Sequence, residues 1–115
     1  VTTNMYGDIL SDEAAALSSG LGLAGALNLG DEHAMAQAVH GSAPDIAGQG
    51  IANPCGTILS VAMLLEYSAG EPDCARKIEG AVDSALNVGF ATRDIGGHHT
   101  TQQITDEVIR QFDQM

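Results

Sequence analysis

The sequence predicts an α/β fold that is rich in helix and carries only a few short strands. Three observations predict it. Four stretches have the spacing of amphipathic or buried helices. One short run, Ala34 to His40, alternates as a strand does. A long aperiodic loop, His40 to Pro54, lies between the alternating run and a long apolar helix. So little strand fits part of a sheet protein with helical cover better than a complete sandwich of layers. At 115 residues the chain suffices for one modest core and not for two ordinary domains, so residues 1–115 are expected to form a single region.

Taken in order, Val1 to Asn4 is β-branched and short, as at the end of a strand running into a turn. From Gly7 to Ser18, Ile9, Leu10, Ala14 and Leu17 trace a helical stripe, which Gly20 and Gly22 end. Leu21 to Leu29 is apolar and punctuated by glycine, and Asp31-Glu32 makes a polar turn. Ala34, Ala36, Ala38 and His40 then alternate with Met35, Gln37 and Val39, a short strand in spite of alanine's poor β propensity. After the loop, Asn53 is an N-cap followed by proline at the first helical position. The helix runs through Ile58, Leu59, Ala62, Met63 and Leu65 to about Ser68, apolar nearly all round and therefore buried on most sides. Gly70 stops it. Glu71-Pro72-Asp73 opens the next helix, with Ile78, Val82, Ala85 and Leu86 as its inner face and Gly89 at the left-handed C-terminal position. A loop from Arg93 to His99 follows; the side chains of His98 and His99 diverge and are expected to be exposed. Thr100 and Gln103 then form a capping box for a last helix with Ile104, Val108, Ile109 and Phe112 as its stripe.

Composition narrows the function. Apolar residues make up 44% of the chain but aromatics only 3%, and tryptophan is absent, so Ala, Leu, Ile, Val and Met must build the core. The net charge is −11, with only Arg76, Lys77, Arg93 and Arg110 positive. Such a surface repels nucleic acid and anionic membranes. Cys55 and Cys74 have no metal-binding spacing and are expected as buried thiols. No run is long enough for a membrane span and no signal peptide opens the chain, so the expected location is cytoplasmic.

Two patterns carry chemistry. Asp8 and Asp12 are four apart near the start of a helix, so their carboxylates share one face. Hard oxygen donors at that spacing suit Mg²⁺ or Mn²⁺; an acidic first turn serving the helix dipole explains them as well, and spacing alone favours the dipole. The second pattern is the loop. Its glycines allow close backbone approach and leave N–H groups free to face a ligand. Asp45 suits the vicinal hydroxyls of a ribose and opposes a 2′-phosphate, which favours NAD over NADP. Asn53 reads an adenine edge, caps the next helix, or does both, and His40 is either a ligand neighbour or a turn residue. A ligand loop and a structural loop stand about even on this footing. Nothing resembles a Ser-His-Asp arrangement, a P-loop or a GxGxxG turn.

Longer matches decide the balance. Asn4-Met5-Tyr6-Gly7-Asp8-Ile9-Leu10-Ser11-Asp12-Glu13-Ala14-Ala15 resembles the signature of the isocitrate/isopropylmalate dehydrogenase family. His40 to Pro54 resembles its cofactor loop, Ile58 to Leu65 the helix after it, and Thr92 to Gly97 a further motif. The resemblance implies the C-terminal segment of the isopropylmalate dehydrogenase-like fold, within the large, cofactor-binding domain. It implies metal-dependent, NAD-linked oxidative decarboxylation of a 2-hydroxy acid, with 3-isopropylmalate favoured and isocitrate next. Asp8 and Asp12 become ligands for Mg²⁺ or Mn²⁺. His40, Gly41, Ser42, Ala43, Pro44, Asp45, Ile46 and Asn53 become NAD contacts, with Leu21 and Gly22 beside them. NADP-using branches carry Lys-Tyr where this chain has Asp45-Ile46.

The family's substrate arginines, catalytic tyrosine and lysine, and third metal carboxylate correspond to positions upstream of Val1. No catalytic residue is therefore expected in this chain, which is expected to be inactive alone. A homodimer or higher assembly is expected to complete the site. The alternative is a non-catalytic or regulatory nucleotide-binding subunit of the same family. The chain departs from the family pattern at Ser18-Ser19-Gly20, where paired glycines are common. It departs also at Gly25, where proline is common, and at Gln49, where lysine is frequent.

Overall fold

One helix organises the molecule. In the computed structural model, which describes residues 1–17 and 20–115 apart from the Leu21 side chain, helix α2 (Cys55–Tyr67) carries a β-ribbon on one side and helix α3 (Pro72–Asn87) on another. Helix α4 (Thr101–Asp113) packs on α3. Helix α1 (Asn4–Leu17) precedes them and packs chiefly against a 3₁₀ turn at Leu21–Leu23. The result is an α/β unit rich in helix, as the sequence predicts.

The ribbon pairs β1 (Gly25–Leu29) with β2 (Ala34–Ala38), antiparallel, in the register Gly25↔Ala38 through Leu29↔Ala34. Gly30 N–H donates to the His33 carbonyl at 2.9 Å and closes the turn. Alanine is a poor strand former, yet here its small size is what the packing needs. Ala38 is buried, and a Cβ placed on Gly25 would lie 2.9 Å from the Ser60 backbone nitrogen. The strand lies nearly flush on α2, and Ser60 Oγ ties the two by accepting from Ala26 N–H at 3.2 Å. Gly25, where the family commonly has proline, therefore has a packing role.

The core joins Cys55 of α2, Ala81, Val82 and Ala85 of α3, and Ile104 and Val108 of α4, with Leu23, Ile58, Leu59, Leu86, Phe90 and Phe112 around them. Ile109, expected in the α4 stripe, is 54% exposed. It lies about 140° around the helix from Ile104, whereas Val108 lies only about 40° away. The capping box of α4 forms as expected: Gln103 N–H donates to Thr100 Oγ1 at 3.2 Å, and Thr100 N–H to Gln103 Oε1 at 2.9 Å. Gly89 takes the left-handed conformation after α3, with φ of 95°.

Two expectations near the start change. Val1 to Asn4 is not the end of a strand: Asn4 already begins α1, and Gly7 N–H donates to the Thr3 carbonyl at 2.8 Å. Among the described residues no strand lies alongside, and the Thr3 carbonyl is taken up by the helix instead. The stripe of α1 is not core either: Ile9, Leu10 and Leu17 are more than half exposed and Ala14 is exposed, while Ala15 is the buried residue of the helix. The expected helix end at Ser18, and the Ser18-Ser19 departure, fall outside the described residues. Among the described residues no helix is long and apolar enough to cross a membrane.

Candidate functional site

The loop from His40 to Pro54 is shaped by its own backbone and fixed at its far end by another helix. Ile46 N–H donates to the Ala43 carbonyl and Ala47 N–H to the Pro44 carbonyl, closing a 3₁₀ turn at Pro44–Ile46. Gln49 reaches back through Nε2 to the Asp45 carbonyl at 2.9 Å. Thr101, the first residue of α4, donates its N–H to the Gly50 carbonyl at 2.8 Å and its hydroxyl to the Ala52 carbonyl at 2.5 Å. Ala43 is held at φ of 43° and ψ of 62°, a left-handed conformation that costs an L-residue about 1–2 kcal/mol. Strain of that kind persists where the surroundings over-determine it, commonly at binding sites.

Below the loop is a cleft of about 560 Å³, a size ordinary for a ligand pocket. Gly22, His40, Gly41, Ala43, Ile46 and Asn53 of the expected set line it, joined by Ile51, Ala52, Arg93 and Asp94. Ser42, Pro44 and Asp45 lie on the loop without lining the cleft, and Asp45 is exposed. The Leu21 side chain lies outside what is described. Arg93 and Asp94 went unassigned in the sequence; the available signal was a charged pair beside Gly96 and Gly97 in an aperiodic stretch. In a chain with four cations, Arg76 pairs with Asp73, Arg110 with Glu107, and Lys77 sits 4.3 Å over the Phe112 ring. Among the described residues Arg93 is the cation without such a partner, and it faces the cleft.

Asn53 is the most constrained member. Its Oδ1 accepts from Cys55 N–H, the first N–H of α2, at 3.0 Å, although the N-cap position falls on Pro54, one residue later than expected, while its Nδ2 donates to Asp94 Oδ2 at 3.0 Å. The absence of a side chain at Gly22 makes room for that pair: a Cβ there would lie 2.2 Å from Asp94 Oδ2 and 2.9 Å from Asn53 Nδ2. His40 Nδ1 donates to the Gly41 carbonyl at 2.9 Å, which leaves Nε2 as an acceptor when the ring is neutral. A Cβ on Gly41 would meet nothing within 4 Å, so the backbone there is open to a ligand.

Asp8 and Asp12 are exposed on one face of α1, away from the cleft. Because α1 begins at Asn4, neither is in its first turn. The dipole explanation thereby loses its footing, since that effect fades within the first turn. Asp12 and Glu13 border a shallow hollow of about 520 Å³ with Ala16 and Leu17. Among the described residues, no three His, Cys, Asp or Glu side chains come together as a metal site.

Of the remaining reactive side chains, Cys55 and His99 are packed, while Cys74 is only half-buried where a buried thiol was expected. Both cysteines are free thiols. Cys55 is 1% exposed, and burial, reinforced by the nearby Asp94 charge and partly offset by a backbone hydrogen bond, pushes its thiol up to about 11. His98 is exposed as expected. His99 is not: it is half-buried, stacked on Phe90 at 4.5 Å, because an apolar ring lies within reach of its own.

The fold and sequence have clear counterparts among dehydrogenases. The crystal structure of isocitrate dehydrogenase from Methylococcus capsulatus superposes with a TM-score of 0.90 at 46% identity, covering 95% of this chain and 33% of that one. A β-decarboxylating dehydrogenase from Thermococcus kodakarensis gives 0.87 at 42%, covering 96% and 32%. In sequence, the isocitrate/homoisocitrate dehydrogenase of Thermus thermophilus is 56% identical over 109 residues, 95% of this chain and 32% of that protein. The 3-isopropylmalate/3-methylmalate dehydrogenase of Methanocaldococcus jannaschii is 51% identical over 96% of this chain and 33% of its own length. The profile of the isocitrate/isopropylmalate dehydrogenase family matches residues 1–108. The chain belongs to that family, and its fold is an α/β segment of the same kind. It spans about a third of the length of the curated relatives it matches.

Proposed function

We propose that this chain forms part of the large, cofactor-binding domain of an NAD-linked, metal-dependent dehydrogenase. The enzyme oxidatively decarboxylates a 2-hydroxy acid, 3-isopropylmalate first and isocitrate next. The observation that carries this reading is the cleft, where Gly22, His40, Gly41, Ala43, Ile46 and Asn53 converge from separate stretches of chain.

The residues fit the groups the family implies. The cleft is mostly apolar, open at Gly41, and carries Arg93 as a counter-charge for phosphate. Asp8 and Asp12 offer hard oxygens, and Mg²⁺ commonly takes one or two carboxylates with water and substrate. When bound, the metal supplies charge that favours the carbonyl and enolate oxygens of the reaction, and NAD supplies the hydride acceptor. This chain's own residues do the holding. Asp8 and Asp12 orient the ion from one helix face. His40 Nε2 accepts from the adenine amine, and Asn53 Nδ2–H donates to a ring nitrogen. Asp45, at the rim, opposes a 2′-phosphate. The groups that bind and protonate substrate belong to the rest of the enzyme, so this chain alone is inactive. The exposed apolar face of α1 fits burial in a homodimer, and two free thiols fit the cytoplasm.

Calorimetric titration of the full-length protein tests the cofactor reading. NAD is expected to bind more tightly than NADP, and Asp45→Lys to narrow the difference; equal binding in both proteins contradicts the specificity. For the metal pair, Asp8→Asn and Asp12→Asn are expected to abolish Mn²⁺-dependent turnover. A full-length protein that binds NAD yet turns over none of the hydroxy acids is instead a non-catalytic or regulatory subunit.

A further inference from the structure

Asp94 and Asn53 are 41 positions apart and meet at 3.0 Å over Gly22. The Asn53 amide is thereby gripped at both ends, its oxygen by Cys55 N–H and its nitrogen by the Asp94 carboxylate. One hydrogen bond is a hinge; two fix the plane of the amide. With that plane fixed, the second Nδ2–H is the donor Asn53 has left to offer, and the residue lines the cleft. His40, its Nδ1–H committed to the Gly41 carbonyl, offers the cleft an acceptor. A donor and an acceptor on one cleft complement adenine, whose N1 accepts and whose 6-amino group donates. Hypoxanthine, with N1–H and a 6-oxo group, reverses both.

We propose that Asp94 is a positioning residue for base specificity: acting through Asn53, it sets the polarity that makes the cleft select adenine over its 6-oxo counterpart. The inference rests on the dinucleotide reading above. It assigns a purpose to the close approach at Gly22, where a methyl group would displace the carboxylate.

The test titrates the full-length protein with NAD and with nicotinamide hypoxanthine dinucleotide, for wild type, Asp94→Ala, Asp94→Asn and Gly22→Ala, with a melting curve for each. Wild type is expected to prefer NAD by about tenfold, the scale of a hydrogen bond gained or lost. Asp94→Ala and Gly22→Ala are expected to bring the ratio within about twofold, while Asp94→Asn, which keeps an acceptor oxygen, retains most of it. Should Asp94→Ala fail to fold, Gly22→Ala against Asp94→Asn decides the matter. Variants that keep the wild-type ratio, even if both affinities fall, overturn the positioning role alone, as does a wild type with no preference. A wild type that binds neither dinucleotide overturns the cofactor reading and this inference with it.

Discussion

Thr92 is fully enclosed, and among the described residues its hydroxyl has no hydrogen-bond partner, which leaves the desolvation of that oxygen uncompensated. Thr92→Val, of nearly the same shape, is expected to raise stability by about 1 kcal/mol. Urea unfolding checks this through a higher midpoint at unchanged slope. Glu107 is the opposite case, a carboxylate only 6% exposed but well supplied. Arg110 donates through Nε at 2.8 Å and through Nη2 at 2.5 Å, and Gln111 donates at 2.7 Å. The hydrogen bonds from Arg110, then that from Gln111, hold its carboxyl below the usual range. A depressed folded-state value stabilises above the unfolded value of about 4.3 and is lost as pH falls through the folded one. The stability advantage of wild type over Glu107→Gln is therefore expected at pH 7 and to shrink by pH 3, as urea midpoints at the two pH values read out. At Arg93, substitution by glutamine is expected to weaken NAD binding several-fold at low salt and to flatten its salt dependence, since the phosphate loses a counter-charge.

At the scale of elements, the joints matter more than the spans. The capping box at Thr100 satisfies orphan donors of α4, so Thr100→Ala is expected to cost about 1 kcal/mol, measurable by thermal unfolding. The next residue has a different task, because Thr101 holds the loop carbonyls of Gly50 and Ala52. Thr101→Val is expected to loosen the loop and raise the Kd for NAD although its side chain lies off the cleft lining, whereas Thr100→Ala affects stability first. A titration of the two variants side by side separates these effects. At the ribbon, Gly25→Ala drives a methyl against the Ser60 backbone, an overpacking expected to cost about 1–3 kcal/mol.

For the whole molecule, the distribution of surface decides what is unfinished. Helix α3 and the ribbon pack on α2, and α4 packs on α3, while α1 leaves Met5, Tyr6, Ile9 and Leu10 largely exposed. An apolar face of that kind, on a helix that also bears Asp8 and Asp12, fits a surface that is covered in a larger assembly. Light scattering on the full-length protein is expected to give a dimer or higher oligomer, and a monomer contradicts that reading. The charge of −11 acts at this scale too: it slows the approach of anionic ligands and concentrates the value of Arg93, a cation on the cleft wall without a carboxylate partner among the described residues.

Local signals made most of the fold legible. The Asn53 cap, the proline starting α3 and the Thr100–Gln103 box depend on residues within a few positions of one another, so spacing alone reveals them. The loop, its glycines and the paired aspartates were legible for the same reason, and the long motifs made the family legible. What tertiary structure alone decided was which side chains share a space. Asp94 meets Asn53 because α2, α3 and α4 pack in one arrangement, and Arg93 enters the cleft with it. Asp45, itself an expected contact, sits in the 3₁₀ turn, exposed and off the cleft lining. The α1 stripe is exposed although its spacing is that of core. Periodicity records that a face is apolar; only the packed structure records whether anything covers it.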